Sequence, residues 1–133
     1  MSHPETAPGD PSPRYRSVFA PGLFAGQVVW VTGGGSGIGR CVAHELASLG
    51  ATVVVSGRTQ EKLERVAGEI LADGGRCETA AFDIRDDDAV KTAVGQVGAR
   101  HGTSIGLVNN AGGYEEPVFP DAPLEHWSAA LDL

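Results

Sequence analysis

Between Thr32 and Gly39 the chain reads TGGGSGIG, with glycine at positions 33, 34, 35, 37 and 39. Glycine loses more backbone freedom on folding than any other residue, so such a concentration calls for a chemical reason. The glycines follow a short apolar run, Val28 to Thr32, and precede a helical pattern. A strand running into glycines and then a helix start is suited to a pyrophosphate. The free N–H groups and the helix dipole stabilise the anion without a lysine, and the missing side chains let it approach the backbone. The spacing from Gly33 is G-x-x-x-G-x-G, which differs from both G-x-G-x-x-G and the Walker A loop.

Three further features fall where strands should end. About twenty residues beyond the loop, a second β-branched strand closes in Ser56-Gly57-Arg58. An acid near this point holds an adenosine 2'-hydroxyl, whereas a basic residue accommodates a 2'-phosphate. Gly57 supplies no carboxylate and Arg58 supplies a fork of donors, so the pattern favours NADP(H) over NAD(H). Arg40, early in the following helix, is expected to add positive charge nearby. Asp83 ends a third strand, with Ile84 behind it, and its carboxylate suits an adenine amino group; the alternative is a turn residue introducing a helix. Asn109-Asn110-Ala111-Gly112 ends a fourth. Asparagine bonds both turn backbone and ligand, and the small Ala and Gly leave room for a ribose.

These features need elements to hold them at one edge. Val28 to Thr32 reads as a strand buried on both faces. Ile38, Val42, Leu46 and Leu49 give the next helix its apolar face, with Gly50 as a stop. Ala51 to Ser56 is the second strand. Thr59 is the expected N-cap of a second helix, with Leu63, Val66, Ala67, Ile70 and Leu71 on its inner face. Cys77 to Phe82 is a weaker third strand. The acidic cluster Asp86, Asp87 and Asp88 starts a third helix, with Val90, Val94 and Val97 inward. Ile105 to Val108 is the fourth strand, and a last helix begins at Leu124. The β-α-β-α-β-α-β order predicts an α/β fold, a Rossmann-like doubly wound parallel sheet of about four strands in the order 3-2-1-4. Its fourth strand would be uncovered, an edge that either invites another chain, as in a homo-oligomer, or marks an incomplete domain.

TGGGSGIG, Asp83 and NNAG together resemble the short-chain dehydrogenase/reductase family, over about residues 25–133. The resemblance implies that Thr32 braces the loop and that Gly33, Gly37 and Gly39 carry the pyrophosphate. It puts Asp83 by the adenine, with Asn110 and Ala111 lining the cofactor. The candidate cofactor-binding set is therefore Thr32, Gly33, Gly35, Ser36, Gly37, Ile38, Gly39, Arg58, Asp83, Ile84, Asn110, Ala111 and Gly112. The segment APGLFAGQVVWVTGG is also similar to the start of the trans-2-enoyl-CoA reductase branch.

The same resemblance implies hydride transfer between a nicotinamide and a carbonyl, alcohol or activated alkene, through a catalytic Asn, Ser, Tyr and Lys. The Asn would fall just after Leu133. Neither Tyr15 nor Tyr114 is followed by a lysine at the Tyr-x-x-x-Lys spacing, so no catalytic residue is assigned. Three readings follow: the cofactor-binding half of a reductase, a free-standing nucleotide-binding module, or a structural remnant of the fold. A small-molecule substrate is expected only where the catalytic half is supplied.

The bulk properties agree. One domain with a real core fits within 133 residues. A net charge of −7 argues against a nucleic-acid surface. Cys41 and Cys77 are expected to be free, mostly buried thiols, which fits a cytoplasmic protein. The four histidines are scattered, and no zinc spacing occurs. Residues 17–39 carry no charge, but Pro21, Gln27 and seven glycines interrupt any membrane span. The start lacks a signal-peptide pattern. Residues 1–24 are proline-rich and expected to be a tail, partly mobile, pinned through Tyr15, Val18, Phe19, Leu23 and Phe24.

Overall fold

The computed structural model describes residues 17–103, 105–112 and 125. Tyr15, Tyr114, the first thirteen residues and most of the helix expected from Leu124 lie outside them. The elements are β1 (Val28–Thr32), α1 (Gly37–Ser48), β2 (Thr52–Gly57), α2 (Gln60–Ala72), β3 (Arg76–Ala81), α3 (Asp87–His101) and β4 (Gly106–Val108). All strand pairs are parallel and the sheet order is β3-β2-β1-β4, as expected.

The apolar strands are continuous because both sheet faces are covered. Val29, Val31, Val53 and Val55 pack in one core with residues of α1 and α2, whereas Trp30 and Val54 pack in a second with Ala93 and Val97 of α3. The even-numbered face carries a polar anchor. The Trp30 indole donates to the Ser56 hydroxyl at 2.9 Å, and its ring meets Phe82 edge-on at 6.1 Å. β4 is exposed at its edge, with Leu107 at 59%.

In each of the three helices one residue expected on the inner face is exposed. α1 buries Gly39, Ala43 and Ala47, with Val42 and Leu46 partly buried beside them, and Ile38 is exposed. The seam is the row of small residues at i, i+4 and i+8, which lets the helix sit close to the β1 and β2 valines; Ile38 is turned about 100° off it. Leu71 in α2 and Val94 in α3 are exposed for the same reason. The buried rows are Leu63, Val66, Ala67 and Ile70 in α2, and Ala93 and Val97 in α3. α3 starts at the acidic cluster as expected, and Asp86 caps it, accepting from the Asp88 and Ala89 N–H groups. Thr59 occupies the N-cap of α2 but makes no side-chain cap bond.

The segment before β1 is held differently from expectation too. Val18, Phe19 and Leu23 are exposed, and of the described pinning residues Phe24 packs against the core. The Phe24 N–H donates to the Leu49 carbonyl at 2.9 Å, and the Ser17 hydroxyl donates to Glu45.

Cys41 is exposed rather than buried, because it lies two positions from Gly39 and hence on the far side of α1. Cys77 is partly buried, and that burial pushes its thiol up to about 12. Since the thiolate is the nucleophile, iodoacetamide at neutral pH should modify Cys41 first, with Cys77 reacting only after denaturation. Peptide mass mapping of the labelled chain checks this; equal labelling of the native protein would contradict it.

Candidate functional site

The site is the turn between β1 and α1, and it is built by interlocking with the end of β4. Gly33 adopts φ +66°, and a Cβ there would lie 3.0 Å from both the Ala111 Cα and the Asn110 Nδ2. Gly39 is tighter still: a Cβ would lie 2.3 Å from the Gly33 carbonyl oxygen and 2.5 Å from the Asn110 Nδ2. No side chain fits at Gly39, and at Gly33 one would be both crowded and strained by the positive φ. Gly34 ties the loop to β2 through its N–H, which donates to the Ser56 carbonyl at 3.1 Å.

Thr32 and Asn110 close the lock. The Thr32 hydroxyl accepts from the Asn110 N–H at 3.0 Å and the Ala111 N–H at 2.9 Å, and donates to the Val108 carbonyl at 3.3 Å. In return the Asn110 amide donates to the carbonyls of Thr32 at 3.0 Å and Gly33 at 3.3 Å. Two loop carbonyls are thereby turned toward Asn110.

The N–H groups of the first turn of α1 have no intrahelical acceptor, and the Ser36 side chain makes no cap bond. Ser36, Gly37 and Ile38 are exposed, and a Cβ at Gly37 would meet open space. This end of the helix therefore presents donors and a positive dipole end to whatever lies in front of it.

The other candidates gather at the same carboxyl edge. Gly57 pairs with Ala81, and the Phe82 N–H donates to the Gly57 carbonyl at 3.0 Å, so Arg58 and Asp83 emerge from neighbouring strand ends. Arg58 is exposed there, as are Ile84 and Gly112 at their strand ends; Gly35 is buried beneath the loop, against Lys62 and Leu63 of α2. Arg40 does not join this group. Its guanidinium donates to Glu69 of α2 at 2.8 Å, and His44 lies 3.1 Å from the same carboxylate oxygen. The Arg40 bond and charge, with His44, hold the Glu69 carboxyl below its ordinary range despite partial burial. Arg40 is thus a clamp between α1 and α2, and the expectation that it adds charge near the loop is corrected.

Sequence reasoning also passes over Arg85, which is densely bonded at this edge. Its N–H, Nε and Nη2 all donate to the Asp83 carboxylate, at 2.7 to 3.2 Å. These bonds hold the Asp83 carboxyl far below the usual carboxylate range. The available signal was an arginine two residues after an aspartate in a turn. Among the described residues, no group of His, Cys, Asp and Glu is arranged to hold a metal.

A parallel sheet whose first strand feeds a glycine loop and an open helix end, locked by an asparagine just beyond the fourth strand, defines a dinucleotide-binding class of fold. The family model for short chain dehydrogenases matches residues 27–133, and the chain belongs to that family. It is 43% identical over 102 residues to "Probable 2,4-dienoyl-CoA reductase decr-1.2" of Caenorhabditis elegans, covering 75% of this chain and 33% of that protein. Among solved structures it resembles the citronellol catabolism dehydrogenase AtuB of Pseudomonas aeruginosa PAO1. That match has 54% identity and a TM-score of 0.78, and covers 88% of this chain and 48% of the other. A metagenomic short-chain oxidoreductase in complex with NADP matches at 43% identity and a TM-score of 0.69, covering 81% and 49%. The chain thus spans between about a fifth and a third of the length of the curated relatives it matches and about half of these solved chains.

No helix among the described residues is long and apolar enough to cross a membrane.

Proposed function

We propose that residues 25–133 are the cofactor-binding part of an NADP(H)-dependent oxidoreductase, preceded by a tail over residues 1–24. The observation that carries this reading is the open N-terminus of α1, held in place by the Thr32–Asn110 lock, with Arg58 rather than an acid at the end of β2. The pyrophosphate would lie across Gly33, Ser36, Gly37, Ile38 and Gly39. The adenosine would extend toward Arg58, Asp83 and Ile84, and the nicotinamide ribose toward Asn110, Ala111 and Gly112. The bound nicotinamide supplies or takes the hydride; this chain's own residues bind and orient it.

The names of the relatives favour an activated alkene, a carbonyl or an alcohol as the whole protein's substrate. The reductase at 43% identity and the likeness of the first strand's approach to an enoyl-CoA reductase branch both lean toward an enoyl thioester. Two free cysteines accord with a reducing cytoplasm.

Titrating the 133-residue chain with each dinucleotide tests the cofactor. NADPH should bind more tightly than NADH by at least about tenfold, and Arg58→Ala should reduce the two affinities to within about threefold of one another. Equal affinities in the unaltered protein would overturn the assignment.

A further inference from the structure

We propose that Arg85 is a charge-masking residue of the adenosine pocket, covering the Asp83 carboxylate so that a 2'-phosphate can sit beside Arg58. The inference rests on the cofactor reading above and explains how that reading survives a local conflict. Arg58 follows the end of β2 and Asp83 the adjacent end of β3, near enough for the Arg58 charge to act on the Asp83 carboxyl, so a phosphate held by Arg58 would feel that carboxylate as well. The charges of a carboxylate and a phosphate repel, and the acidic run Asp86, Asp87 and Asp88 follows directly.

The geometry of Arg85 answers that repulsion. Its Nε lies 3.1 Å from Oδ1 and 3.2 Å from Oδ2, its Nη2 lies 2.7 Å from Oδ2, and its backbone N–H donates to Oδ1 at 3.0 Å. Both carboxylate oxygens are therefore engaged. With Arg58 and Arg85 positive and Asp83 negative, these three side chains keep one net positive charge; without Arg85 they keep none.

A fold-stabilising role does not account for the pair. Both partners lie in one turn, two residues apart, and the arginine side chain is 60% exposed. Exposed pairs of this kind contribute little to stability. They join no two elements, unlike Arg40 and Glu69, which bridge α1 and α2. The turn itself is closed by the backbone, through the Asp86 N–H donating to the Asp83 carbonyl at 3.0 Å.

The test is calorimetric titration of NADPH and NADH into the unaltered chain and into the Arg85→Gln, Asp83→Asn and doubly substituted chains. Arg85→Gln should weaken NADPH by about tenfold and change NADH by less than about twofold. The double variant should regain the preference for NADPH over NADH to within about threefold of the unaltered protein's, since any loss at the adenine contact is common to both dinucleotides and the carboxamide in place of Asp83 has no charge to mask. The proposal is overturned by three results. One is an unchanged NADPH affinity in Arg85→Gln; the second is an equal loss for both dinucleotides, which marks a structural role. The third is a double variant whose preference for NADPH stays as low as that of Arg85→Gln, which marks Arg85 as a direct phosphate ligand. If the unaltered protein shows no NADPH preference, the cofactor reading fails first, and the masking role falls with it.

Discussion

In the Gly39→Ala variant, affinity for NADPH is expected to fall by more than about a hundredfold, and thermal stability by about 3 kcal/mol. The added methyl would lie 2.3 Å from the Gly33 carbonyl oxygen and 2.5 Å from the Asn110 amide. Neither can give way locally, because the first is backbone and the second is bonded to two loop carbonyls. α1 must move off the sheet, which opens the small-residue seam through Ala43 and Ala47 and displaces the N–H groups that face the phosphates. The contrast is Gly68→Ala, on the exposed side of α2, where a Cβ meets nothing within 4 Å. There the same exchange should stabilise the protein by about 0.5–1 kcal/mol through helix propensity alone. Thermal melts of the two variants should move in opposite directions; a Gly39→Ala protein that melts with the unaltered one would refute the close approach.

Replacing Thr32 by valine is expected to cost about 2–4 kcal/mol, with loss of NADPH binding in proportion. Valine is nearly isosteric, so packing against the sheet is kept and the loss isolates the hydroxyl. The Asn110 and Ala111 N–H groups lose their acceptor and the Val108 carbonyl loses a donor, all in a half-buried position. Unsatisfied groups at such a site each carry a desolvation penalty. Thr32→Ser keeps the oxygen and should lose less than about 1 kcal/mol. Urea denaturation of the three proteins separates the cases; a valine variant as stable as the serine one would remove the hydroxyl from the lock.

The strands and their order were legible because their physical cause is local. The run from Val28 to Thr32 has few uses other than a strand covered on both faces, and short crossovers then leave little choice of order. The start of α3 was legible for the same reason: an acidic cluster suits the positive end of a helix dipole. Which way Arg40 points is not a local matter. It depends on α2 placing Glu69 across from it, and no spacing in the sequence states that. Ile38, Leu71 and Val94 were misplaced by periodicity because large apolar residues dominate a pattern, whereas the contact seam of α1 is made by glycine and alanine. Thr32 and Asn110 were singled out by family resemblance, but their mutual bonds run between residues 78 positions apart. Arg85 was missed since its partner lies in its own turn, where an arginine looks like any solvated charge.

That separation of 78 positions between the two halves of the lock also sets an order of events during synthesis. β1 and the glycines emerge from the ribosome early, but the oxygen of Thr32 has no N–H to accept from until Asn110 and Ala111 are made. At about 5–20 residues per second, the nascent loop spends roughly 4–16 s without its fastener. During that interval β1 can pair with β2 alone, and its other side is an open parallel edge. Until β4 docks, the glycine loop has its Gly34 tie to β2 but not the Thr32–Asn110 lock, and a polypeptide held at that stage is one for a chaperone to shield.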